Sequence, residues 1–357
     1  MDISKLDKNL AVSAQVTEPD LEWFNVLEPP FVVDGVYFNK EEEQFLRMPR
    51  EVAKTVNEGV YSLCKCTAGG SVRFKTDSSF IAVSVVEPEN VPSPHLTHIM
   101  KHGFDIYKDG TFFRAFAPPV DCPHEYASGR NTFQSYGEHD GKVHDYLINF
   151  PLYNGVKSLY IGVKKGSELL PPEPFVNEKP VVFYGSSITQ GACASRPGTC
   201  YTNTLCRKLN LKQINLGFSG NCKGETEMAE YIASLDMDAF VLDFDHNIRF
   251  AEQLEQRHLP FYKRIRELHP DLPIVIISAP DVDLHPLQFL PKRDIVIKTY
   301  EYALANGDKN VYFVDGQQMC AGDGWDDCFV DATHPNDLGF YRMYQATLPA
   351  LEQILKK

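Results

Sequence analysis

Residues 181–191, VVFYGSSITQG, join an apolar run to a pair of serines and two glycines. The apolar, β-branched run predicts a buried strand, and Gly185 and Gly191 permit a sharp turn after it. A helix that follows this turn would direct its first backbone N–H groups at whatever the serine attacks. The segment indicates a nucleophilic serine, although an ordinary turn between a strand and a helix explains this segment alone equally well.

A second segment, near the C-terminus, supplies the groups that such a serine needs. Residues 329–336 read FVDATHPN, in which Asp331 and His334 are three positions apart. Pro335 disfavours helix at His334, so this histidine is predicted in a loop directly before a helix that Asn336 caps. A histidine can take the proton of a serine hydroxyl, and a carboxylate can orient that histidine.

Four short blocks of the chain, in this order, resemble the SGNH/GDSL-type serine hydrolases. The first block of that family runs Gly-Asp-Ser-[Ile/Leu]-Thr-x-Gly, and it matches residues 185–191 with Ser186 in place of the acidic residue. The last block, Asp-x-x-His, matches Asp331 and His334. The resemblance implies that Ser187 is the nucleophile, that His334 is its base and that Asp331 orients His334.

The two intervening blocks concern the oxyanion hole. The glycine of the second block matches Gly220 in NLGFSGN, and the asparagine of the third matches Asn247 in VLDFDHN, where the usual Gly-x-Asn-Asp is absent. The resemblance, which covers residues 178–357, implies an oxyanion hole made of the Ser187 and Gly220 backbone N–H groups and the Asn247 side-chain amide. It implies a serine esterase that needs no cofactor.

The second half of the chain alternates apolar runs with helix-forming stretches. The runs lie at residues 181–185, 213–218, 239–244, 273–278 and 311–315, and the stretches between them at Tyr201–Leu209, Thr226–Leu235, Leu254–Leu268 and Lys292–Ala305. This alternation predicts a three-layer α/β/α domain with a parallel five-stranded sheet. Ligands bind such sheets beyond the carboxyl ends of the strands, and Ser187, Gly220 and Asn247 follow the first, second and third runs.

The first half holds short alternating runs broken by turn residues. The clearest runs are SVRFKTDS (71–78), IAVSVV (81–86), GTFFRAF (110–116) and SLYIGV (158–163). They predict antiparallel strands in an all-β, jelly-roll-like sandwich that precedes the hydrolase domain. The residues Gly103-Phe104-Asp105-Ile106-Tyr107 resemble the Gly-x-Asp-Leu-Tyr signature of the N-terminal module found in one subgroup of these hydrolases, with Ile for Leu.

These patterns divide the chain into four segments. We predict an N-terminal extension at residues 1–29, the sandwich at 30–170, a proline-rich linker at 171–180 and the hydrolase domain at 181–357. The length of 357 residues agrees with two domains, each large enough for its own core.

Composition limits the partners. Hydrophobic residues make up 43% and charged residues 23% of the chain, as in an ordinary globular protein. The net charge of −13 argues against nucleic acid or an anionic membrane as a partner, because both require a basic surface. Since the N-terminus lacks an apolar signal segment and no run approaches the ~20 apolar residues of a membrane span, we expect a cytoplasmic protein. A secreted protein trimmed of its signal peptide would look similar.

Neither the cysteines nor the acidic residues predict a metal site. Nine cysteines include one close pair, Cys64-x-Cys66, and no Cys-x-x-Cys, so we expect reduced, mostly structural thiols. Asp243 and Asp245 share one face of a strand and could bind an ion together with His246. No further ligand cluster accompanies them, and we expect no bound metal.

The substrate is inferred from the resemblance alone. Proteins that resemble this two-domain subgroup are often carbohydrate esterases that remove acetyl groups from plant polysaccharides or oligosaccharides, so we expect an acylated small molecule or oligosaccharide as substrate. Trp325, in AGDGWDDCF before the Asp-x-x-His block, is either a stacking platform for a sugar ring or a residue packed under its loop. The sandwich binds carbohydrate, completes the cleft or forms a homo-oligomer interface, and the sequence leaves these three roles open.

Three alternatives to a short-chain esterase are weaker. A lipase or acyl-thioesterase uses the same residues but needs a long apolar channel or a lid, and no apolar segment in the sequence supplies one. A non-catalytic carbohydrate-binding protein would not need both Ser187 and His334. A phosphodiester hydrolase would require the metal site that we do not expect.

Overall fold

The computed structural model describes residues 15–88, 93–119, 124–133 and 138–355. The chain divides into two compact units. The first unit comprises residues Met1–Leu46 and Lys65–Pro174, and the second comprises Arg47–Cys64 and Phe175–Lys357.

The division differs from the predicted intervals most clearly in residues 47–64. Residues 47–64, which the predicted sandwich at 30–170 includes, belong to the second unit. They form helices α1 (Arg50–Val56) and α2 (Glu58–Leu63). The apolar side chains of these helices join the core of the second unit, which explains the difference.

The first unit is built mainly of strands. They are β1 (Leu21–Asn25), β2 (Val32–Asp34), β3 (Tyr37–Asn39), β4 (Gln44–Leu46), β5 (Ser71–Thr76), β6 (Phe80–Val86), β7 (Phe104–Lys108), β8 (Thr111–Phe116), β9 (Glu125–Asn131), β10 (His144–Asn149), β11 (Ser158–Lys164) and β12 (Leu169–Leu170). One short helix, α3 (His98–His102), precedes β7. Because β1 pairs with β11, part of the predicted extension at 1–29 belongs to this unit; residues 1–14 lie outside the described residues.

The strands form two antiparallel sheets around an apolar core. One sheet has the order β1-β11-β6-β9, and the other has the order β12-β5-β10-β7-β8 with β2 also paired to β5. Alternate residues of the strands supply this core, as with Val72 and Phe74 of β5 and Ile81, Val83 and Val85 of β6. The four predicted strand runs all lie on observed strands, and the predicted sandwich is confirmed.

The second unit contains the parallel sheet. Its strands are β13 (Val181–Gly185), β14 (Gln213–Gly217), β15 (Ala239–Asp243), β16 (Ile274–Ile277) and β17 (Val311–Val314). Its further helices are α4 (Ser187–Gln190), α5 (Tyr201–Leu209), α6 (Thr226–Ala233), α7 (Ala251–Glu255), α8 (His258–Leu268), α9 (Pro286–Ala305), α10 (Gly316–Met319) and α11 (Asp337–Leu355).

The order of the sheet, β14-β13-β15-β16-β17, places the first strand between the second and the third. All neighbours in this sheet are parallel, with Gly185 opposite both Gly217 and Asp243. Their carboxyl ends therefore meet at one edge, where the chain reverses its direction of winding and where ligands bind such sheets. The predicted α/β class and five-stranded parallel sheet are confirmed.

Two predicted helices differ in extent from those observed. The stretch Leu254–Leu268 forms two helices, α7 and α8, with a break between Glu255 and His258. Helix α9 begins at Pro286 rather than at Lys292, because a proline at the first helical position needs no hydrogen-bond partner for its nitrogen.

Eight of the nine cysteines lie in the described part of the chain, where all eight are reduced and buried. No helix in the described ranges combines the length and the apolar character that crossing a bilayer requires.

Candidate active site

Ser187 is the first residue of α4 and lies two positions after the end of β13, the strand between β14 and β15. Ser186 is the helix cap, and its Oγ accepts a hydrogen bond of 3.1 Å from the Ile188 backbone N–H. The short helix ends at Gly191, whose φ of 100° lies in the left-handed region that glycine tolerates. The predicted strand, turn and helix thus place Ser187 at the carboxyl edge of the sheet.

A chain of two hydrogen bonds connects Ser187 to His334 and Asp331. The Ser187 Oγ lies 2.9 Å from His334 Nε2, and His334 Nδ1 lies 2.8 Å from Asp331 Oδ2. The backbone N–H groups of His334 and Thr333 donate to the other oxygen, Asp331 Oδ1, at 2.8 and 3.2 Å. The structure therefore brings together the three residues that the sequence motifs single out.

The surroundings of Asp331 favour its ionised form. Partial burial raises the pKa of a carboxyl group, but the hydrogen bonds that Asp331 accepts from the backbone and ring of His334 outweigh it, and the pKa of Asp331 is lowered. An ionised carboxylate beside Nδ1 keeps the proton on that nitrogen and leaves the His334 Nε2 lone pair for the serine hydroxyl.

The loop that carries His334 is held from both sides. The Val330 N–H donates to the His334 carbonyl at 2.9 Å. The Asn336 Oδ1 accepts hydrogen bonds from the Leu338 and Gly339 N–H groups at 3.0 and 3.1 Å, so Asn336 caps α11 as predicted.

Asp337 connects this loop to the segment that follows the nucleophile. Its Oδ1 accepts hydrogen bonds from the Ser195 N–H and the Thr199 Oγ1, both at 2.8 Å, and its Oδ2 accepts one from the Ser195 Oγ at 2.5 Å. These three bonds fix the distance between the loop after α4 and the start of α11. The sequence motifs did not reveal this residue, since its partners are 138 or more positions away.

Gly220 and Asn247 lie on the loops after β14 and β15, the two strands that flank β13 in the sheet. Gly220 has a φ of 68°, and a Cβ at this position would meet no atom within 4 Å, so its backbone faces open space. The Asn247 Oδ1 accepts a hydrogen bond of 3.3 Å from the Cys222 N–H, which joins the two loops. Across the described ranges, neither the Gly220 N–H nor the Asn247 Nδ2 donates to another protein group.

Residues from the early part of the chain support the Gly220 loop. The Arg47 Nη1 donates to the carbonyls of Asn215 and Gly217 at 3.1 and 2.7 Å. The Asn57 Nδ2 donates to the Asn221 carbonyl at 3.3 Å. Arg47 and Asn57, which precede and follow α1, thereby anchor the end of β14 and the loop after it, a role that no local sequence pattern indicated.

Comparison with known proteins agrees with this arrangement. The profile of the GDSL-like lipase/acylhydrolase family matches residues 178–352, and that of the GxDLY module, the N-terminus of SGNH-hydrolase-type esterases, matches residues 21–169. A Bacteroides ovatus protein described as a GDSL-like lipase is 31% identical, with 94% of this chain and 98% of that chain covered and a TM-score of 0.80. The chain belongs to the GDSL-like lipase/acylhydrolase family. It is a carboxylic ester hydrolase.

More distant structures share the fold. A salicylyl-acyltransferase from a tetracycline biosynthetic pathway is 20% identical, covers 94% of this chain and 98% of its own, and has a TM-score of 0.75. An acetyl xylan esterase from the rumen bacterium Butyrivibrio proteoclasticus is 13% identical, covers 94% and 99%, and has a TM-score of 0.58. No curated protein sequence matches the chain.

The three residues considered as an alternative metal site in this hydrolase bind separate partners. Asp243 Oδ2 accepts hydrogen bonds from Thr189 Oγ1 and Tyr201 OH at 2.8 and 3.0 Å. Asp245 Oδ2 accepts one from the Ala279 N–H at 2.9 Å, while the His246 Nε2 pairs with Asp281 at 3.2 Å. Asp243 thus connects the nucleophile helix α4 and helix α5 to the end of β15.

Burial changes the ionisation of this region. It raises the pKa of Asp243 to about 7, with the charge of Asp245 adding to the effect, and it raises the pKa of Asp245 to about 6. Burial alone would lower the pKa of His246, but the hydrogen bond and charge of Asp281 raise it. Lys292 is 1% exposed and neighbours both Asp245 and Asp281. The cluster of ionisable side chains formed by these residues and His246 lies under the loop that carries Asn247.

Cys193 is a further residue near the reactive histidine that the motifs did not reveal. Its Sγ, a carboxylate oxygen of Asp331 and a ring nitrogen of His334 all lie within 4.8 Å of one another. Its backbone has a φ of 69°, uncommon for a residue with a Cβ. Burial, reinforced by the charge of Asp331, raises the pKa of the Cys193 thiol to about 12, so the thiol is protonated.

Trp325 lies in a loop that reaches the His334 segment. Its side chain is 38% exposed, and the Asn336 N–H donates to the Cys328 carbonyl at 2.9 Å a few residues further on. The indole is therefore partly exposed, and its role as a stacking platform for a sugar ring stays a prediction.

Proposed function

We propose that this hydrolase removes short acyl groups, acetyl above all, from plant-derived oligosaccharides through a covalent intermediate on Ser187. The observation that carries the proposal is the hydrogen-bonded sequence of Ser187 Oγ, His334 and Asp331, with heavy-atom distances of 2.9 and 2.8 Å. These distances suit proton transfer without rearrangement of the side chains.

Each residue has a defined task in the proposed reaction. The Ser187 Oγ attacks the ester carbonyl carbon while His334 Nε2 takes the hydroxyl proton, and Asp331 stabilises the resulting imidazolium. Collapse of the tetrahedral intermediate expels the alcohol, which receives the proton from His334. Water then attacks the acyl-enzyme by the same proton path and releases the carboxylic acid.

The negative charge of the intermediate needs donors that are already oriented. The backbone N–H groups of Ser187 and Gly220 and the Asn247 Nδ2 are proposed to bind it. The hydrogen bond between Asn247 Oδ1 and the Cys222 N–H supports this role, because it orients the amide and leaves Nδ2 for a ligand.

Three observations support an acetylated sugar as the substrate. One protein that shares the fold is named an acetyl xylan esterase, and acetyl xylan is an acetylated sugar polymer. The partly exposed Trp325 offers a face for a sugar ring. The net charge of −13 is compatible with an uncharged substrate.

One observation favours a second candidate, an esterase for longer or aromatic acyl groups. Leu287, at the start of α9, is 96% exposed, and Val330 is 49% exposed. The His285 Nε2 bonds to the Ala332 carbonyl at 2.9 Å, which places the start of α9 beside the loop of His334. Exposed apolar side chains at this place could contact an apolar acyl group, which the sequence alone did not reveal.

A panel of esters separates the two candidates. The enzyme is assayed with acetyl, butyryl and octanoyl nitrophenyl esters and with acetylated manno- and xylo-oligosaccharides, and Ser187→Ala protein is the blank. The proposal requires the highest kcat/KM on acetyl groups and release of acetate from the oligosaccharides. A preference for octanoyl esters that Leu287→Ser reduces would establish the second candidate instead.

A further inference from the structure

We propose that Cys193, Asp331 and His334 form a binding site for a thiophilic divalent cation such as Zn²⁺, and that the bound ion inhibits the enzyme. Sulfur, carboxylate oxygen and imidazole nitrogen are the donors that Zn²⁺ prefers, and three protein ligands with an open fourth position are a common zinc arrangement. The donor atoms lie within 4.8 Å of one another. Donors on one tetrahedral zinc lie roughly 3.3–3.8 Å apart. The Asp331 Oδ2 and His334 Nδ1, which are 2.8 Å apart, therefore separate slightly when an ion replaces the hydrogen bond between them.

The groups around the three donors suit this role. The Asp331 Oδ1 accepts hydrogen bonds from two backbone N–H groups, which orients the carboxylate. The Asp331 Oδ2 is hydrogen-bonded to His334 Nδ1, and an ion that binds these two atoms takes the place of that bond. The other ring nitrogen, His334 Nε2, has its partner in Ser187 Oγ. Such outer contacts orient metal ligands in proteins. The Asp331 side chain is 35% exposed, so an ion can enter from its side although Cys193 is buried.

Inhibition follows from either mode of histidine coordination. An ion on Nε2 occupies the lone pair that must accept the serine proton. An ion on Nδ1 forces the ring proton onto Nε2, so that Nε2 becomes a donor and can no longer act as a base. Binding displaces the thiol proton of Cys193 to solvent and changes no oxidation state. Mg²⁺ and Ca²⁺ prefer oxygen ligands and should not inhibit.

The inhibition readout rests on the proposed esterase function, whereas the binding readout does not. Binding is measured with Co²⁺ in Ser187→Ala protein, in which the absorption band of a thiolate–cobalt bond reports Cys193 directly. We expect the band in Ser187→Ala protein and its loss in Ser187→Ala/Cys193→Ser protein. Cys206→Ser is the matched control, since Cys206 is similarly buried, on α5 of the same unit.

The activity arm uses the enzyme with Ser187 intact. Each variant is compared with its own rate without metal, and Cys193→Ser should weaken Zn²⁺ inhibition at least about 10–100-fold, the loss that even an outer-shell change produces. Cys206→Ser should keep the inhibition, and Mg²⁺ should not inhibit any variant. Should Cys193→Ser fail to fold, Zn²⁺ protection of Cys193 against iodoacetamide in the unmodified protein replaces it.

The outcomes are separable. A cobalt–thiolate band that is unchanged by Cys193→Ser, or alkylation of Cys193 that Zn²⁺ does not slow, overturns the proposed site. If the band depends on Cys193 but the protein with Ser187 intact hydrolyses no ester, the metal site is retained and the proposed function is wrong.

Discussion

Each unit of the molecule contains a carboxylate paired with a histidine, and the two pairs differ in solvent access. In the first unit, Glu87 Oε2 lies 3.0 Å from His102 Nδ1, and in the second, Asp331 Oδ2 lies 2.8 Å from His334 Nδ1. The Glu87 side chain is 1% exposed and that of Asp331 is 35% exposed. Similar residue types at similar distances thus occupy different environments.

Burial decides which pair carries charge. It raises the pKa of Glu87 to about 8, against a hydrogen bond from Asn154, and it lowers the pKa of His102 to about 4, with the charge of Lys101 adding to the effect. Both members of that pair are therefore neutral at pH 7. Asp331 has a lowered pKa and is ionised. A carboxylate can stabilise an imidazolium only in the ionised state, which suits Asp331 to catalysis and Glu87 to structure.

The largest expected difference between the two pairs is in turnover. Asp331→Asn keeps the shape of the side chain but removes its charge and its preference for the Nδ1 proton. We expect kcat to fall about 10⁴-fold, the effect of the same exchange in a serine protease triad. Glu87→Gln, the matched change in the first unit, should leave kcat unchanged. Initial rates on an acetyl nitrophenyl ester measure both, and equal losses in the two variants would refute the distinction.

A carboxylate–histidine pair needs an oxyanion site as well in order to catalyse ester hydrolysis, and a variant of Asn247 tests that requirement. Asn247→Ala should lower kcat about 10²–10³-fold, because one donor to the developing charge is lost. KM should change little, since this hydrogen bond strengthens mainly in the transition state.

His246→Ala is the local comparison for Asn247. If Asn247→Ala retains its turnover while His246→Ala loses it, the third block is aligned at the wrong residue. The oxyanion donor would then lie elsewhere on the loop after β15.

The pH dependence of stability should distinguish the buried pair. The folded state holds a proton on Glu87 up to about pH 8, whereas an unfolded glutamate has lost it near its usual pKa. Raising the pH towards 8 therefore destabilises the first unit, by at most about 1.4 kcal/mol per pH unit. The lowered pKa of His102 acts in the opposite direction, but between about pH 4 and 6.5, so measurements from pH 7 to 8 isolate Glu87.

The measurement uses the two tryptophans of the chain, Trp23 in the first unit and Trp325 in the second. In Trp325→Phe protein, the fluorescence of Trp23 reports urea unfolding of the first unit alone. The free energy of unfolding should fall from pH 7 to pH 8 and should do so less after Glu87→Gln. Parallel curves would show that Glu87 does not hold the extra proton.

The smallest effect is expected beside the nucleophile itself. Ser186→Ala removes the cap of α4, which costs about 0.5–2 kcal/mol of stability. Turnover should fall far less than in Ser187→Ala, because Ser186 contacts the helix rather than His334. Thermal unfolding and kcat of the two alanine variants test this, and comparable losses of kcat would assign Ser186 a role in the chemistry.

Local sequence patterns were sufficient to predict the features that depend on residues adjacent in the chain. The run before Gly185 is a strand, Asn336 caps α11, and Ser187, His334 and Asp331 meet at the sheet edge that parallel strands dictate. The conformation of each segment follows from a few adjacent residues, and the topology of an alternating α/β chain brings the segments together at one edge of the sheet.

Patterns failed where packing connects distant segments. Residues 47–64 form helices of seven and six residues, too short for a clear helical period. Their hydrogen-bond partners in β14 and in the loop after it lie more than 150 positions away. Cys193 and Asp337 are single residues with no motif, and only the folded chain places them beside Asp331 or Ser195. The ionisation of Glu87 and Asp331 could not be predicted from the sequence either. It differs because the two side chains are buried to different extents, and burial is a property of the fold.

Covalent labelling tests the central claim, that the pair in the second unit activates Ser187. The protein is treated with a fluorophosphonate, digested and analysed by mass spectrometry, with Ser187→Ala and His334→Ala variants in parallel. We predict a single adduct on Ser187, none in Ser187→Ala protein and a strongly slowed reaction in His334→Ala protein, because the hydroxyl then lacks its base. An adduct that persists in Ser187→Ala protein, or a rate that His334→Ala leaves unchanged, would contradict this account.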